Sequence, residues 1–447
     1  METLDKYLQR KKQEIGLLNA CLNTPLFLQD PACPVDAIKQ KFQIASALKA
    51  EYALEDWALT ETAWAHHGRM RAGPFEFSYD YQRADLEVRG PSFYAFADPA
   101  LNDTIYASSG MSAISALLLG SKTVIPSAEI LILPGSYGET TEFIESYCRH
   151  LHSVHLTPPA TQLVRPSGCP RILLLDSCST AEAFERTLRL APKLDLVVFD
   201  TTCFSSGSRR IGRVLSWARR CELPIVLVRS HTKLDSLGLE YGRLGSAVFV
   251  DAKSPVVDQN RGLLNALASE TRKAIRLLGG APFPAHFPPY VGSGMYRTLT
   301  DGRIASILRN SRRTSRYFAD VLGPASHSHF AHALYLTLEP SKPVDEGKAR
   351  DLAEDLSRDL SKMGLLIRHA GSFGFDFGAT EWFHDSITDR YLVRIAVPDM
   401  PTALWDEVAQ TIAYWWSRRE RRSSQNRPAG QFLGTTRGAR TISHVRN

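Results

Sequence analysis

Short apolar segments alternate with amphipathic stretches between about residues 104 and 250, and this alternation restricts the possible folds more than any other feature of the chain. Several of the apolar segments are rich in β-branched residues, as buried strands are, while the stretches between them space their apolar residues as helices do. Strands are predicted at residues 130–133, 172–175, 194–199, 224–228 and 246–250, and helices at 113–119, 140–150, 180–190 and 208–220. The pattern predicts an α/β fold with a mainly parallel sheet covered by helices on both faces.

The segments on either side of this region have other patterns. Residues 1–50 have helical spacing and could pack on a partner subunit. Later in the chain, helices are predicted at 262–277, 304–322, 348–363 and 401–418, and strands at 332–338, 365–370 and 391–397. We therefore predict four regions: an N-terminal helical segment and dimer arm (1–100), a large α/β domain (101–290), a smaller C-terminal α+β domain (291–418) and a disordered basic tail (419–447).

The excess positive charge is concentrated near the C-terminus. Residues 418–447 contain eight arginines and one acid, a charge of +7, which leaves −1 for the remainder of the +6 chain. A solvating tail explains this distribution better than a nucleic-acid-binding domain does. No apolar run reaches membrane-spanning length and the first residues lack the apolar core of a secretory signal, so we expect a cytoplasmic protein.

The cysteines give no sign of a disulfide framework or a zinc site. There are seven, an odd number, and none forms a CxxC pair. In a chain of this size and expected compartment, such cysteines are typical of reduced thiols. No metal site is predicted.

Lys233 lies just past the strand predicted at residues 224–228. Open α/β sheets place their ligands at the carboxyl ends of their strands, and a lysine there could act as an amine nucleophile. Ser230 and Thr232 add hydroxyl groups beside it, and His231 is better explained as a spacer than as a base. Asp200 ends the preceding predicted strand, where it is either a helix cap or a carboxylate that holds a proton on a heteroaromatic nitrogen.

Two other features stand at the starts of predicted helices. Ser109, Gly110 and Met111 precede the helix at 113–119, and the free N–H groups of a helix N-terminus bind phosphate, although serine is also an ordinary cap. Tyr137 follows the strand at 130–133, where it is either a turn residue or an aromatic face at the edge of the sheet.

A phosphate-binding turn, an aromatic residue, a carboxylate and a lysine, in this order, are what a site for pyridoxal phosphate requires. From about residue 79 to 398, the chain resembles the fold-type-I pyridoxal 5'-phosphate enzymes, and among them the Cys/Met-metabolism family of cystathionine synthases and lyases. The resemblance implies an aspartate-aminotransferase-like large domain with a mainly parallel seven-stranded sheet and a smaller C-terminal α+β domain. It also implies a homodimer or homotetramer with the active site at the subunit interface.

The resemblance assigns roles to individual residues. Lys233 would bind the cofactor as a Schiff base and would be catalytic together with Tyr137 and Asp200. Ser372 and Arg394 would bind the substrate carboxylate. The cofactor would be held by Ser109, Gly110, Met111, Tyr137, Asp200, Thr202, Ser230, Thr232 and Lys233, and by Tyr81 and Arg83 reaching from the neighbouring subunit.

The chain departs from the family pattern around the substrate. Asp176-Ser177-Cys178-Ser179 stands where the family has an acidic residue followed soon by Asn-Pro, and Thr201 follows Asp200 where the family has Asn. Arg394 is followed by Ile395-Ala396-Val397 in place of Ser-x-Gly. The cofactor residues are kept while the substrate residues differ, so we expect a specialised amino-acid substrate.

Three functions remain open at this stage. The first is a lyase or transferase that performs β- or γ-elimination or replacement on an amino acid with a heteroatom leaving group. The second is an aminotransferase or a carbon–carbon bond-forming enzyme with the same cofactor. The third is a non-catalytic protein that binds the cofactor or a partner, which the retention of Lys233 and Asp200 disfavours.

Overall fold

A computed structural model describes residues 2–53, 70–81, 86–94, 103–156, 161–164, 167–250, 258–329, 334–385 and 388–425. Its helices are α1 (Leu4–Asn19), α2 (Pro34–Ala53), α3 (Gly110–Val124), α4 (Gly138–Tyr147), α5 (Ala181–Thr187), α6 (Arg209–Arg220), α7 (Asp258–Leu278), α8 (Gly294–Leu322), α9 (Glu346–Lys362) and α10 (Thr402–Gln425). Its strands are β1 (Met70–Ala72), β2 (Phe75–Ser78), β3 (Glu87–Arg89), β4 (Asp103–Ala107), β5 (Ala128–Ile132), β6 (Leu151–His155), β7 (Arg171–Asp176), β8 (Leu196–Asp200), β9 (Ile225–Ser230), β10 (Gly245–Val250), β11 (Ser326–His329), β12 (Tyr335–Leu338), β13 (Ile367–His369), β14 (Gly378–Asp385) and β15 (Arg390–Ala396). None of the helices described in these ranges is both long enough and apolar enough to cross a membrane.

The predicted α/β fold is confirmed by a seven-stranded sheet in the order β4-β10-β9-β8-β7-β5-β6. Strands β6, β5, β7, β8 and β9 pair in parallel, whereas β10 is antiparallel to β9 and to β4, which settles a direction that the sequence left open. Every residue of β7 is buried, and alternate residues face opposite cores: Leu174 belongs to one and Leu175 to the other. Helices therefore cover both faces of the sheet, as expected for parallel strands.

A second sheet of five strands, in the order β11-β12-β15-β14-β13, confirms the predicted smaller sheet in the C-terminal part. Its apolar face packs on helices that include α9 and α10. Two predicted boundaries were wrong. Helix α8 begins at Gly294 because Ser293 caps it, ten residues before the predicted start. Helix α10 continues to Gln425, into the segment predicted as disordered, where Arg419 bonds Asp355 at 2.9 Å; residues 426–447 of that segment lie outside the described ranges.

Helices α1 and α2 carry buried charges that join them to the C-terminal part of the same chain. These charges form what we call the N-terminal charge cluster, composed of Lys11, Glu14, Lys41, Arg303, Asp376 and Asp399. Lys11 Nζ lies 2.6 Å from Asp376 Oδ1 and 2.7 Å from Asp399 Oδ2, and Lys41 Nζ lies 2.6 Å from Asp376 Oδ2. Contact of these helices with a partner subunit stays a prediction.

Candidate active site

The carboxyl ends of β7, β8 and β9 meet at one edge of the large sheet and place the central residues of the site. Asp176 and Asp200 are in register at the ends of neighbouring strands. The Thr202 N–H donates to Asp200 Oδ1 at 2.7 Å, and Thr202 Oγ1 accepts from the Ser230 N–H at 3.0 Å. The turn after Asp200 is thus tied to the end of β9, three residues before Lys233.

Lys233 lies between the large sheet and the C-terminal sheet. Its amine donates to Ser372 Oγ at 2.7 Å, so two residues predicted from distant motifs are in direct contact. The Glu240 carboxylate lies 3.7 Å from the same amine. The lysine side chain is 25% exposed, so it is partly accessible from solvent.

The predicted phosphate-binding turn lies directly against the end of β9. Ser109 caps α3 by accepting the Ser112 N–H at 2.9 Å, and Gly110 is the first residue of the helix. A Cβ on Gly110 would lie 2.8 Å from Ser230 Cβ, so only glycine allows this close approach. The Ser230 and Thr232 hydroxyls bond each other at 2.9 Å beside this helix N-terminus. Main-chain N–H groups and hydroxyls of this kind are the usual ligands of a phosphate.

A cavity of about 660 Å³ opens next to this turn, and its walls contain charges that the sequence did not reveal. Lys49 from α2 and Arg243 line it together with Ser108 and Thr232. No motif marks these two cations, because one comes from a helix near the N-terminus and the other follows an irregular segment. Glu240 lines the same cavity, so its walls carry two cations and one carboxylate.

The paired carboxyl groups at the strand ends have unusual acidity. Burial, followed by the nearby Asp200 charge, raises the pKa of Asp176 to about 7. Burial also raises the pKa of Asp200, against hydrogen bonds from Thr202 that lower it. Two neighbouring carboxylates, one buried and one partly buried, favour keeping one proton between them, and a cation placed beside Asp200 would relieve this repulsion.

Tyr137 stands at the start of α4, where its main-chain N–H donates to Asp176 Oδ2 at 2.7 Å. Burial and the neighbouring Glu139 raise the pKa of its phenol, so the hydroxyl keeps its proton at neutral pH. The ring packs against an apolar cluster from both sheets that includes Cys178, Cys203 and Phe373. Cys178 Sγ and Cys203 Sγ are 3.4 Å apart, and all seven cysteines of the chain are free thiols.

Arg394 points to this same region from β15. It is 8% exposed, and its guanidinium carbon lies 4.4 Å from the centre of the Tyr335 ring. Its charge partner is Glu381 on the neighbouring strand β14. The sequence predicted the arginine but not the acid, because β14 has no apolar run and was not predicted as a strand.

The remaining predicted residues are only partly described. Tyr81 is partly buried, at a single-residue bridge, and Arg83 lies outside the described residues. Their predicted role in the site of a neighbouring subunit stays a prediction. Among the residues that the structure describes, no group of three or more His, Cys, Asp or Glu side chains is arranged to hold a metal ion.

The chain is similar to known proteins in structure but not in sequence. No family model and no curated protein matches the chain. Among solved structures, it is similar to a cystathionine gamma synthase from Xanthomonas oryzae pv. oryzae, with 14% identity, a TM-score of 0.47, and coverage of 85% of this chain and 98% of that one. It is also similar to a cystathionine gamma lyase from Micromonospora echinospora, with 14% identity, a TM-score of 0.48, and coverage of 79% and 92%. At these values the likeness says nothing about activity, which has to be inferred from the residues of the site.

Proposed function

We propose that this protein is a pyridoxal-phosphate-dependent enzyme that catalyses β- or γ-elimination or replacement on an amino acid with a heteroatom leaving group. The proposal rests on one observation above all. Lys233 and Asp200 follow the ends of adjacent strands, and the N-terminus of α3 lies against Ser230 beside them. An amine, a partly buried carboxylate and a phosphate-binding turn thus share one edge of the sheet.

The residues present fit the cofactor. The first N–H groups of α3, at Gly110 and Met111, and the hydroxyls of Ser230 and Thr232 would hold the phosphate. Asp200, partly buried and with a raised pKa, would face the ring nitrogen and share its proton. Pyridoxal phosphate, when bound, supplies a ring that stores the electrons released at the substrate Cα.

The residues around Lys233 suit the proton transfers of such a reaction. The Lys233 amine would hold the cofactor and, with substrate bound, would remove the Cα proton. Ser372 accepts a hydrogen bond from this amine and would hold it in place. Tyr137 keeps its phenolic proton because its pKa is raised, so it would not act as the first base, and its hydroxyl would be a proton donor to a departing group only if the bound substrate lowered that pKa.

The substrate would be oriented from the C-terminal sheet. Arg394 and Ser372 would bind its carboxylate, and the specialised residues around Cys178 and Cys203 would shape the space for its side chain. We also propose a homodimer in which Tyr81 and Arg83 complete the phosphate site of the neighbouring subunit.

The test is the visible absorption of the chain supplied with pyridoxal phosphate, compared with a Lys233→Ala variant. We expect a band from the lysine-bound cofactor in the wild type, and its absence in the variant. Lys273→Ala is the matched control, since Lys273 lies on the surface of α7 with a side chain 56% exposed, and it should keep the band. Borohydride reduction followed by peptide mass mapping should place the cofactor on Lys233.

A panel of β- and γ-substituted amino acids then tests the reaction. A lyase should release keto acid and ammonia in equal amounts, and Lys233→Ala should lose at least about 100-fold in rate because the base is gone. A cofactor adduct that maps to another lysine, or a wild type without a band, would refute the proposal.

A further inference from the structure

The arginine predicted to bind the substrate carboxylate already faces a carboxylate of its own chain. Glu381 and Arg394 are directly opposite each other on the antiparallel strands β14 and β15, on the same face of the sheet. The Glu381 carboxylate pairs with the Arg394 guanidinium, while Tyr335 stacks on the other side of it at 4.4 Å. The arginine is therefore held by an aromatic ring and an acid before any ligand enters.

This ion pair belongs to the site and not to a distant part of the sheet. Gly371 lies so close to Glu381 that a Cβ there would collide with Glu381 Oε1. The next residue, Ser372, accepts the hydrogen bond from the Lys233 amine at 2.7 Å. Glu381 thus lies one residue from the contact between Lys233 and the C-terminal sheet.

The charge environment of Arg394 comes from the same groups. Burial works against the charged guanidinium, but Tyr335 and Glu381 outweigh it and raise the pKa of Arg394. Tyr137 also contributes to this environment, so the arginine is near the proposed proton donor. Arg394 is therefore always charged, and the question is which carboxylate it pairs with.

The two members of the pair differ in freedom to move. The Arg394 side chain is 10% exposed and is fixed by Tyr335, whereas the Glu381 side chain is 28% exposed. When a second carboxylate approaches, two like charges compete for one buried guanidinium, and this is unfavourable unless one leaves. Glu381 is the member that can turn to solvent.

We propose that Glu381 is a specificity-determining residue that competes with the substrate α-carboxylate for Arg394. This inference rests on the proposed function. Every amino acid that binds must displace Glu381, so the site binds simple amino acids more weakly than it would with an open arginine. An amine without a carboxylate does not displace Glu381, so its binding is not weakened in this way.

The test compares two small probes that differ only in the carboxylate: L-alanine, which has no leaving group at Cβ, and ethylamine. Each is titrated into the protein loaded with pyridoxal phosphate, and binding is followed by the change in the visible band. We expect Glu381→Gln to bind L-alanine about fivefold more tightly, as the loss of a competing ion pair of this kind allows, and ethylamine within about twofold of the wild type. Glu381→Asp, which keeps the charge on a shorter side chain, should tighten L-alanine binding by a smaller factor.

Glu339→Gln is the matched control. Glu339 pairs with Arg390 on the same strand β15, with side-chain exposures of 28% and 30%, but at the end of the strand away from the site. This variant should leave both affinities unchanged. Thermal unfolding of all three variants shows that each is folded, and Glu381→Asp decides the matter if Glu381→Gln does not fold.

The outcomes separate the two proposals. If Glu381→Gln leaves L-alanine binding unchanged, weakens it, or tightens both probes equally, the competitor role is refuted while the cofactor assignment stands. If the wild type shows no band with pyridoxal phosphate, the proposed function itself is refuted, and the role of Glu381 falls with it.

Discussion

Two buried arginines lie near the candidate site, and each is paired with one carboxylate, yet their surroundings differ. Arg229 binds both oxygens of Asp235 at 2.7 Å, and its remaining donors reach the main-chain oxygens of Thr201 and Phe204 at 2.7 and 2.9 Å. The side chains of Arg229 and Asp235 are fully buried. Arg394, by contrast, pairs with a partly exposed acid and stacks on one ring. Arg229 has its hydrogen bonds satisfied by its own chain, whereas Arg394 can exchange its partner.

The Arg229 pair is part of a larger network under Lys233. His231 joins Asp235 Oδ2 at 2.8 Å through Nδ1 and the Ser246 hydroxyl at 2.8 Å through Nε2. This order of serine, histidine and acid resembles a hydrolytic triad, but all three residues are buried. Because Arg229 also holds the loop after Asp200, the network fixes the segments that carry Asp200 and Lys233 relative to each other. The Arg229–Asp235 pair, whose hydrogen bonds are satisfied within the chain, thus positions other residues. The Arg394–Glu381 pair is the one proposed to exchange its acid for a ligand.

The largest expected effect on stability comes from removing one partner of the Arg229–Asp235 ion pair. Asp235→Ala leaves the Arg229 charge buried without its partner, and we expect a loss of about 3–5 kcal/mol in the free energy of unfolding. Urea denaturation measures this loss. Asp406→Ala serves as control, since it removes an acid from the half-exposed Arg313 and should cost less than about 1 kcal/mol. Similar losses of unfolding free energy in both variants would mean that the buried Arg229–Asp235 pair stabilises the fold no more than a surface ion pair does.

A smaller effect should appear as the pH is lowered. Arg229 and His231 outweigh burial and lower the pKa of Asp235 to about 2, below the value of about 3.9 for an unfolded chain. The stabilisation from this group is present above about pH 4 and is lost as the pH falls through 2, in total on the order of 2 kcal/mol. The difference in unfolding free energy between the wild type and Asp235→Asn should therefore shrink by this amount between about pH 5 and pH 2. A difference that stays constant over this range would contradict the lowered pKa.

The smallest effect on stability is expected at the Arg394–Glu381 pair. Glu381→Gln should change the free energy of unfolding by less than about 1 kcal/mol, because the acid is partly exposed and Tyr335 still covers the arginine. The variant would then change binding without changing folding, unlike Asp235→Ala. A loss as large as that of Asp235→Ala would show that both arginines are structural.

The sequence predicted the part of the site that depends on strands and their ends. Lys233 and Asp200 follow continuous apolar runs, and parallel strands bring such ends to one edge, so their neighbourhood could be predicted without the structure. Ser109 was predicted for a similar reason, since a hydroxyl followed by glycine marks a helix start.

Other features depend on contacts that no local pattern reveals. Glu381 lies on β14, whose sequence GATEWFHD mixes polar and apolar residues because the strand is buried only at its first residues and at its last. The edge strand β6 was missed for the same reason, since only its first residue is buried. Lys11 and Lys41 would be placed on the surface by any reading of composition, yet they are buried because acids from the far end of the chain meet them.

The N-terminal charge cluster sets the order in which parts of the chain can pack together during synthesis. Lys11 and Asp376 are 365 positions apart, and Asp399 follows later still. When α1 and α2 leave the ribosome, Glu14 is the one carboxylate of the cluster already present for Lys11 and Lys41, so burying the two lysines then would leave positive charge unpaired and would be strongly unfavourable. We therefore expect α1 and α2 to stay hydrated until the last strand has been synthesised. The N-terminal helices are then the last part of the chain to pack.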